Sequence, residues 1–443
     1  MTTTAEPRVT AADLARLTPD TRDRYVDFLR VASIGVVVLG HWLMAVVTLN
    51  NGELSTENVL GMVPGLWLLT WLLQVMPIFF FVGGFSNFTT IDAYRRKGRG
   101  YGEFVAGRVQ RLIRPVIVLM AIWVPLAFAL ERGGIDHAVL VKATRLVCQP
   151  LWFVAVYLVV STLAPVMRDL HARYRVFVPA ALVGAAVVAD FMRFAANSGT
   201  VGYANMLFIW LFAQQLGFFY ADGSLARIAP RQLVAIFAGA VATLAALTTF
   251  GPYPGSMVGV GKVSNMSPPT VCLAVLAVLQ VALAMLVRPA AQRWLQRKRV
   301  WTAVVAGNGV IMTVFLWHLS AMLLAVAVLL PLGFPQPAGG TALWWATRPL
   351  WVLAASIPLL VVVSLLGRTE RPRPATPVAN GPYAAVVAAI GATLLAAGII
   401  GLALSNLAEL EPLRTFVPAA LGLVLLRVAV THTAPALTKG TAQ

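Results

Sequence analysis

Long apolar runs, each about the length of a bilayer crossing, recur along almost the whole of this 443-residue chain. A hydrocarbon core needs about 20 predominantly apolar residues per helical crossing. Twelve spans can be drawn on that basis, at about Val31–Leu49, Leu66–Phe85, Ile113–Leu130, Leu151–Met167, Phe177–Ala195, Tyr203–Tyr220, Leu233–Phe250, Val271–Val287, Val310–Leu330, Trp344–Leu366, Ala384–Ser405 and Thr415–Val430. The runs are solid rather than alternating, and rich in Leu and Ala. That excludes strands as the main element, because a membrane-spanning strand alternates lipid-facing and inward-facing residues. Only 12% of residues are charged, about half of what a soluble domain carries to keep its surface wetted. The fold class implied is all-α: a polytopic transmembrane helical bundle of about 12 spans.

The first 21 residues are polar and precede an apolar run with no small-residue cleavage site, so the first span reads as a retained insertion signal. With the N-terminus in the cytoplasm, seven of the 34 Lys and Arg residues fall outside: Arg132, Lys142, Arg145, Arg193, Lys262, Arg348 and Arg414. The remainder lie inside, as expected for an even number of spans with both termini cytoplasmic in a cell membrane. The net charge of +17 is thus mainly a topology signal, reinforced by anionic lipid headgroups as partners. Nucleic acid is excluded as a partner, because no loop is long enough to form a domain. Organisation follows the same pattern. Residues 1–21 read as a disordered tail and 22–367 as a ten-helix membrane domain. A Pro/Arg-rich cytoplasmic linker at 368–383 leads to an additional helical pair at 384–430 and a tail at 431–443.

Polar groups inside spans are costly and point to function. In the first span Arg30 and His41 lie eleven residues apart. That is about three helical turns plus roughly 20°, so both side chains share one face, roughly 16 Å apart along the axis. Arg30 is expected at the cytoplasmic mouth and His41 near mid-membrane. Asp27, one turn before Arg30, is placed to pair with it. The histidine admits two readings on geometry alone. It is a proton-transfer group, since its unperturbed pKa lies nearest neutrality, or a polar side chain satisfied by a carbonyl or a neighbouring helix.

The pattern Asp27-x-Leu29-Arg30-x-Ala32…His41, with ten residues between Arg and His, resembles the signature of the acyltransferase family 3 membrane proteins. Further matches follow in order. Pro77-Ile-Phe-Phe-Phe-Val-Gly-Gly-Phe resembles the family's phenylalanine-rich second-span motif, with Gly83 where a serine is usual. Arg108-Val-Gln-Arg-Leu-Ile-Arg-Pro resembles its arginine-rich third-span motif. Leu151-Trp-Phe and Gly307…Phe315-Leu-Trp-His318 resemble two later ones. The likeness covers roughly residues 22–330. It implies an enzyme that moves an acyl group, commonly acetyl, from acyl-CoA as co-substrate to a hydroxyl of a sugar, glycolipid or glycosylated small molecule, with no bound cofactor. His41 and Arg30 would then be catalytic, with Asp27 orienting Arg30. His318 would be a second catalytic histidine, a relay or a packed polar contact. Arg108, Arg111 and Arg114, at i, i+3 and i+6, would offer guanidinium forks to the CoA phosphates. Trp152 would line the channel. Arg95, Arg96, Lys97 and Arg99 fit topology retention better.

Other features are read more plainly. Cys148 and Cys272 read as small apolar residues that do not meet, and Asp190 with Arg193 as an i, i+3 ion pair. His137, His171 and His432 carry no assignment, and Asn308 is a weak candidate. No His, Cys and carboxylate cluster has metal-ligand spacing, so no metal is expected. A transporter or exporter of a lipid-linked or glycosidic molecule is the alternative function. The lack of an internal repeat and the Arg/His geometry count against it.

Overall fold

A computed structural model describes residues 10–431, apart from 20, 51–52, 197, 260–262, 371–381, 406 and 408–410. Within the N-terminal segment expected to be disordered, α1 (Ala11–Arg16) forms. Its Thr10 hydroxyl and backbone N–H both bond Asp13, closing a capping box and holding that carboxyl below its usual pKa. The Trp301 indole then donates to Thr18 at 3.0 Å.

The first long helix, α2 (Arg24–Met44), starts at Asp23, whose carboxylate accepts from the Tyr25 and Val26 N–H groups. The expected span ran on to Leu49, but the helix stops at Met44. Strands β1 (Ala45–Asn50) and β2 (Glu53–Asn58) follow as an antiparallel hairpin, with Ala45 opposite Asn58. Val46, Val47 and Thr48 are β-branched, and Asn-Gly stands at 51–52 in the sequence. That chemistry favours a hairpin over another turn of helix. Next come α3 (Val59–Met62), a 3₁₀ turn at Leu66–Leu69 and α4 (Thr70–Leu73). The second expected span therefore breaks at Gln74, and α5 (Met76–Arg96) begins with Pro77 in its first turn, where a missing N–H costs nothing.

Helix α6 (Tyr101–Arg132) is 32 residues long, about 48 Å at 1.5 Å per residue. Its expected start was Ile113, so Arg108, Arg111 and Arg114 stand well inside the helix rather than at its beginning. Then follow α7 (His137–Cys148), α8 (Leu151–Tyr174), α9 (Phe177–Phe194), α10 (Asn205–Ala221), α11 (Pro230–Phe250), α12 (Val271–Leu295), α13 (Lys298–Gly309), α14 (Ile311–Leu329) and α15 (Ala342–Leu366). The last pair is α16 (Pro382–Leu404) and α17 (Glu411–Thr431). Ten helical segments among the described residues are long and apolar enough to cross a membrane. The chain is a multi-pass membrane protein.

Burial separates the centre from the rim. The apolar windows of α12 and α14 are 67% and 72% buried, those of α9 and α11 only 22% and 17%. The inner helices meet through small residues, because without a hydrophobic drive in lipid the helices gain by close approach. A Cβ on Gly84 of α5 would overlap the Gln214 carbonyl of α10, and one on Gly217 of α10 the Phe81 carbonyl. Helix α16 is no loose appendage: it buries Ala388, Ala392, Leu395 and Ala396 and lies along α8 and α6.

Candidate active site

Two histidines from distant parts of the chain meet at the centre. His318 of α14 approaches His41 of α2 to 3.2 Å, Nε2 to Nδ1, with ring centroids 5.0 Å apart. Backbone carbonyls fix which nitrogens carry protons, since a carbonyl only accepts. His41 Nδ1 faces the Val37 carbonyl at 2.9 Å, and His318 Nδ1 faces the Phe315 carbonyl. Both rings are therefore Nδ1–H tautomers. The His41 Nδ1–H is shared between the Val37 carbonyl and the lone pair of His318 Nε2, leaving the His41 Nε2 lone pair without a protein donor among the described residues. Three indoles lock the arrangement. Trp42 donates to the His318 carbonyl and Trp351 to the Trp42 carbonyl, each at 2.9 Å, and Trp123 donates to Ser320 at 3.0 Å.

Both histidines border a cavity of about 530 Å³. Its walls come from α2, the 66–74 segment, the start of α8, the 251–270 loop and α14. Trp152 and Phe153 line it, as do the polar side chains of Asn58, Thr70, Gln74 and Gln149. The loop that covers it is firmly held. Thr70 accepts from the Met257 N–H at 2.9 Å, Trp71 donates to the Gly255 carbonyl at 2.9 Å, and Asn265 donates to the carbonyls of Pro254 and Ser256. At the loop's far end Asp190 accepts from Asn205 and from the Val271 N–H, each at 2.8 Å. Arg193 donates to the Ser264 and Pro268 carbonyls. The expected Asp190–Arg193 ion pair is thus replaced by separate bonds, because backbone groups in the loop claim both side chains.

The arginines gather at the other end of α2, and none of them lines the cavity. Arg30 bonds Asp27 at 3.1 Å, the Ser86 hydroxyl at 2.7 Å and the Asn308 side chain at 3.3 Å. Asn308 in turn donates to the Asp27 carbonyl at 3.1 Å. Arg108 donates to the Ser86 carbonyl and the Thr90 hydroxyl, both at 3.0 Å, and covers the Phe104 ring. Arg111 and Arg114 make no ion pair among the described residues. Nearby, Glu370 accepts from the Met312 and Thr313 N–H groups, capping α14 from the end of the α15 segment.

The structure brings His41 and His318 together, joins Asp27 to Arg30, and puts Arg108 beside Ser86. Trp152 reaches the cavity. Ser86, in the middle of α5, and Gln74 and Gln149, each just before a helix, went unremarked in the sequence, where single polar residues of this kind carry no signal. Tyr157 was missed too. Its ring packs on Phe79, Phe80 and Phe153 and occupies the space that a Cβ on Gly83 would need. The glycine at the usual serine position thus accommodates a neighbouring tyrosine. Of the unassigned histidines, His171 is buried and bonded to Gln215 and Asp222, His137 is exposed beside Glu131, and His432 lies outside the described residues. The cysteines are buried and unbridged. No group of three or more metal-ligating side chains occurs among the described residues.

Fold and site together define a helical membrane protein with a histidine pair facing an internal cavity and an arginine cluster about half a bilayer away. The acyltransferase-domain model of acyltransferase family 3 matches residues 23–368, and the chain belongs to that family. It is a membrane acyltransferase. No curated protein and no solved structure matches the chain.

Proposed function

We propose that the protein is an O-acyltransferase that moves an acyl group, with acetyl the first to test, from acyl-CoA to a hydroxyl of a sugar, glycolipid or glycosylated small molecule. The observation that carries this reading is the free Nε2 of His41 at a cavity wall, backed by His318. An acceptor hydroxyl in the cavity gives its proton to that nitrogen. Its oxygen forms the new bond to the thioester carbonyl carbon, the C–S bond breaks, and the thiolate of CoA leaves. The proton on His41 then passes to the thiolate, so atoms and charge balance. His318 Nε2 accepts a hydrogen bond from the His41 imidazolium that forms in between, as the orienting member of a proton-transfer pair.

Acyl-CoA arrives from the arginine end in this scheme, with Arg111 and Arg114 at its phosphates and both termini cytoplasmic. Arg30 and Arg108 hold the helix ends around the passage. Their guanidiniums are already engaged by protein groups, which supports a positioning role beside any direct contact.

The test is transfer by purified protein in lipid nanodiscs, supplied with acetyl-CoA and a lipid and glycoside extract and read by mass spectrometry. Appearance of free CoA together with an added acyl mass on one hydroxyl compound is expected. Glycoside movement across vesicles with no acyl product would instead favour the exporter. Orientation is checked separately: reporters fused after Gln336 and after Thr376 are expected outside and inside respectively, and the reverse would break the scheme.

A further inference from the structure

The histidine cavity is lined by both apolar and polar side chains. Leu39, Leu69, Leu73 and Trp345 all line it, and each is exposed rather than packed against protein. Leu39 sits on α2 only two residues before His41, about 3 Å along the axis. The gap between α2 and the 66–73 segment therefore lies at the depth of the histidines. Leu39 and Leu73 belong to segments long and apolar enough to cross a membrane, so an opening between them at that depth would face lipid tails. Apart from Thr70 and the histidines, the polar lining stands where segments end. Asn58 closes the hairpin, Gln74 precedes α5, and Gln149 precedes α8. Gln149 and Gly259 are exposed at this rim. Gln74 is anchored there by Nε2, which donates to the Met257 carbonyl at 3.5 Å.

The dimensions also bear on the occupant. An acetyl group would fill little of 530 Å³, a volume in the usual range for a drug-sized ligand, roughly 300–1,000 Å³. A water-soluble sugar would leave Leu39, Leu69 and Leu73 facing its hydroxyls, with buried apolar surface gained by nothing. An amphiphile matches both kinds of lining.

We propose that the acceptor is an amphiphile that enters this cavity sideways from the bilayer. Its hydroxyl-bearing head lies at His41 among Asn58, Gln74 and Gln149. Its hydrocarbon tail leaves through the gap between Leu39 and the pair Leu69 and Leu73. This rests on the acyl-transfer reading and narrows it: the acceptor is drawn from membrane lipids and lipid-linked sugars, not from free glycosides. The reaction that supplies it must be one that attaches a polar, hydroxyl-bearing head to a hydrocarbon anchor.

The experiment uses the full chain in nanodiscs and decyl glucoside carrying a diazirine in its tail. After irradiation, label is expected on Leu39, Leu69 and Leu73, and excess unmodified decyl glucoside should remove it. Val188 and Phe191 of α9, equally exposed to lipid, should carry only label that does not compete. With acetyl-CoA, decyl glucoside should exceed methyl glucoside in kcat/KM by at least about tenfold, the contribution of two buried methylenes. Leu73→Trp, which narrows the gap, should reduce that ratio and the competable label together; Leu69→Trp provides the same reading if the first variant fails to insert.

Competable label absent from the gap, or equal on α9, overturns the proposal even if transfer proceeds normally. Displacement of the label by octanoyl-CoA, with octanoyl transfer to methyl glucoside preferred over acetyl transfer, also overturns it, because the tail space would then belong to the donor. Competable label in the gap with no transfer to any hydroxyl would leave the lateral site standing and sink the acyl-transfer reading instead.

Discussion

Arg30 and His41 stand on one face of one helix, yet the protein uses the two ends of α2 in opposite ways. At the arginine end two guanidiniums are tied into the protein: Arg30 by Asp27, Ser86 and Asn308, Arg108 by Ser86 and Thr90. At the histidine end one nitrogen is left unused beside an open cavity. A charge within a membrane is costly and gains from polar or charged partners wherever it sits. A neutral imidazole has no such need and can keep a lone pair available. The difference teaches that charge at one end holds helices in place, while the uncharged pair at the other is free for chemistry.

Substitutions can break or sharpen that contrast. His41→Ala is expected to have the largest effect, cutting kcat by about 10² to 10⁴, with insertion and acyl-CoA binding retained when measured calorimetrically on the same purified variant. Full transfer by this variant would remove the base from the scheme.

His318→Phe keeps the ring volume but removes the acceptor for the His41 Nδ1–H. A hydrogen bond to a charged group is worth about 1.5–3 kcal/mol, so kcat should fall by about 10- to 150-fold with KM for acyl-CoA little changed. An unaltered kcat would return His318 to the status of a packed polar contact.

Arg30→Ala should behave differently from either histidine variant. It leaves Asp27 and Ser86 short of a partner and is expected to lower stability by about 1–3 kcal/mol, read as a drop in Tm in detergent, with activity falling alongside. Arg30→Lys should recover only part of this, because a point charge cannot reach three partners as a planar fork does. A kcat loss with unchanged Tm would make Arg30 a reacting group rather than an anchor.

Smallest are Arg111→Ala and Arg114→Ala, which are expected to raise KM for acyl-CoA by up to about 5-fold, since solvent screens an exposed ion pair to about 0.2–1 kcal/mol, and not KM for the acceptor. Unchanged KM for both substrates would assign these residues to topology alone.

Much of the architecture was legible in the residues. Most expected spans coincide with a helix, and the first two do so only in part, because apolar length and helical backbone bonding are local requirements of the bilayer. The hairpin after Met44 was not read, since a mostly apolar stretch such as Ala45–Leu49 looks the same continuing a helix as forming a strand until its β-branching is weighed. The early start of α6 was also missed, because Tyr101–Leu112 is too polar to look like a span although nothing in it breaks a helix. In the site, the helical repeat alone put Arg30 and His41 on one face and Asp27 within reach of Arg30.

What the sequence by itself determined is therefore what depends on neighbours along the chain: a multi-pass helical bundle, the Arg30–His41 face and the family resemblance. Packing between helices decided that His318 meets His41 across 277 positions, which imidazole nitrogen lacks a protein partner among the described residues, that Ser86 is shared by two arginines, and that both histidines border one cavity. These are relations between helices. They arise from close packing at Gly84 and Gly217 and from carbonyls and indoles on separate segments, which no spacing within a single helix encodes.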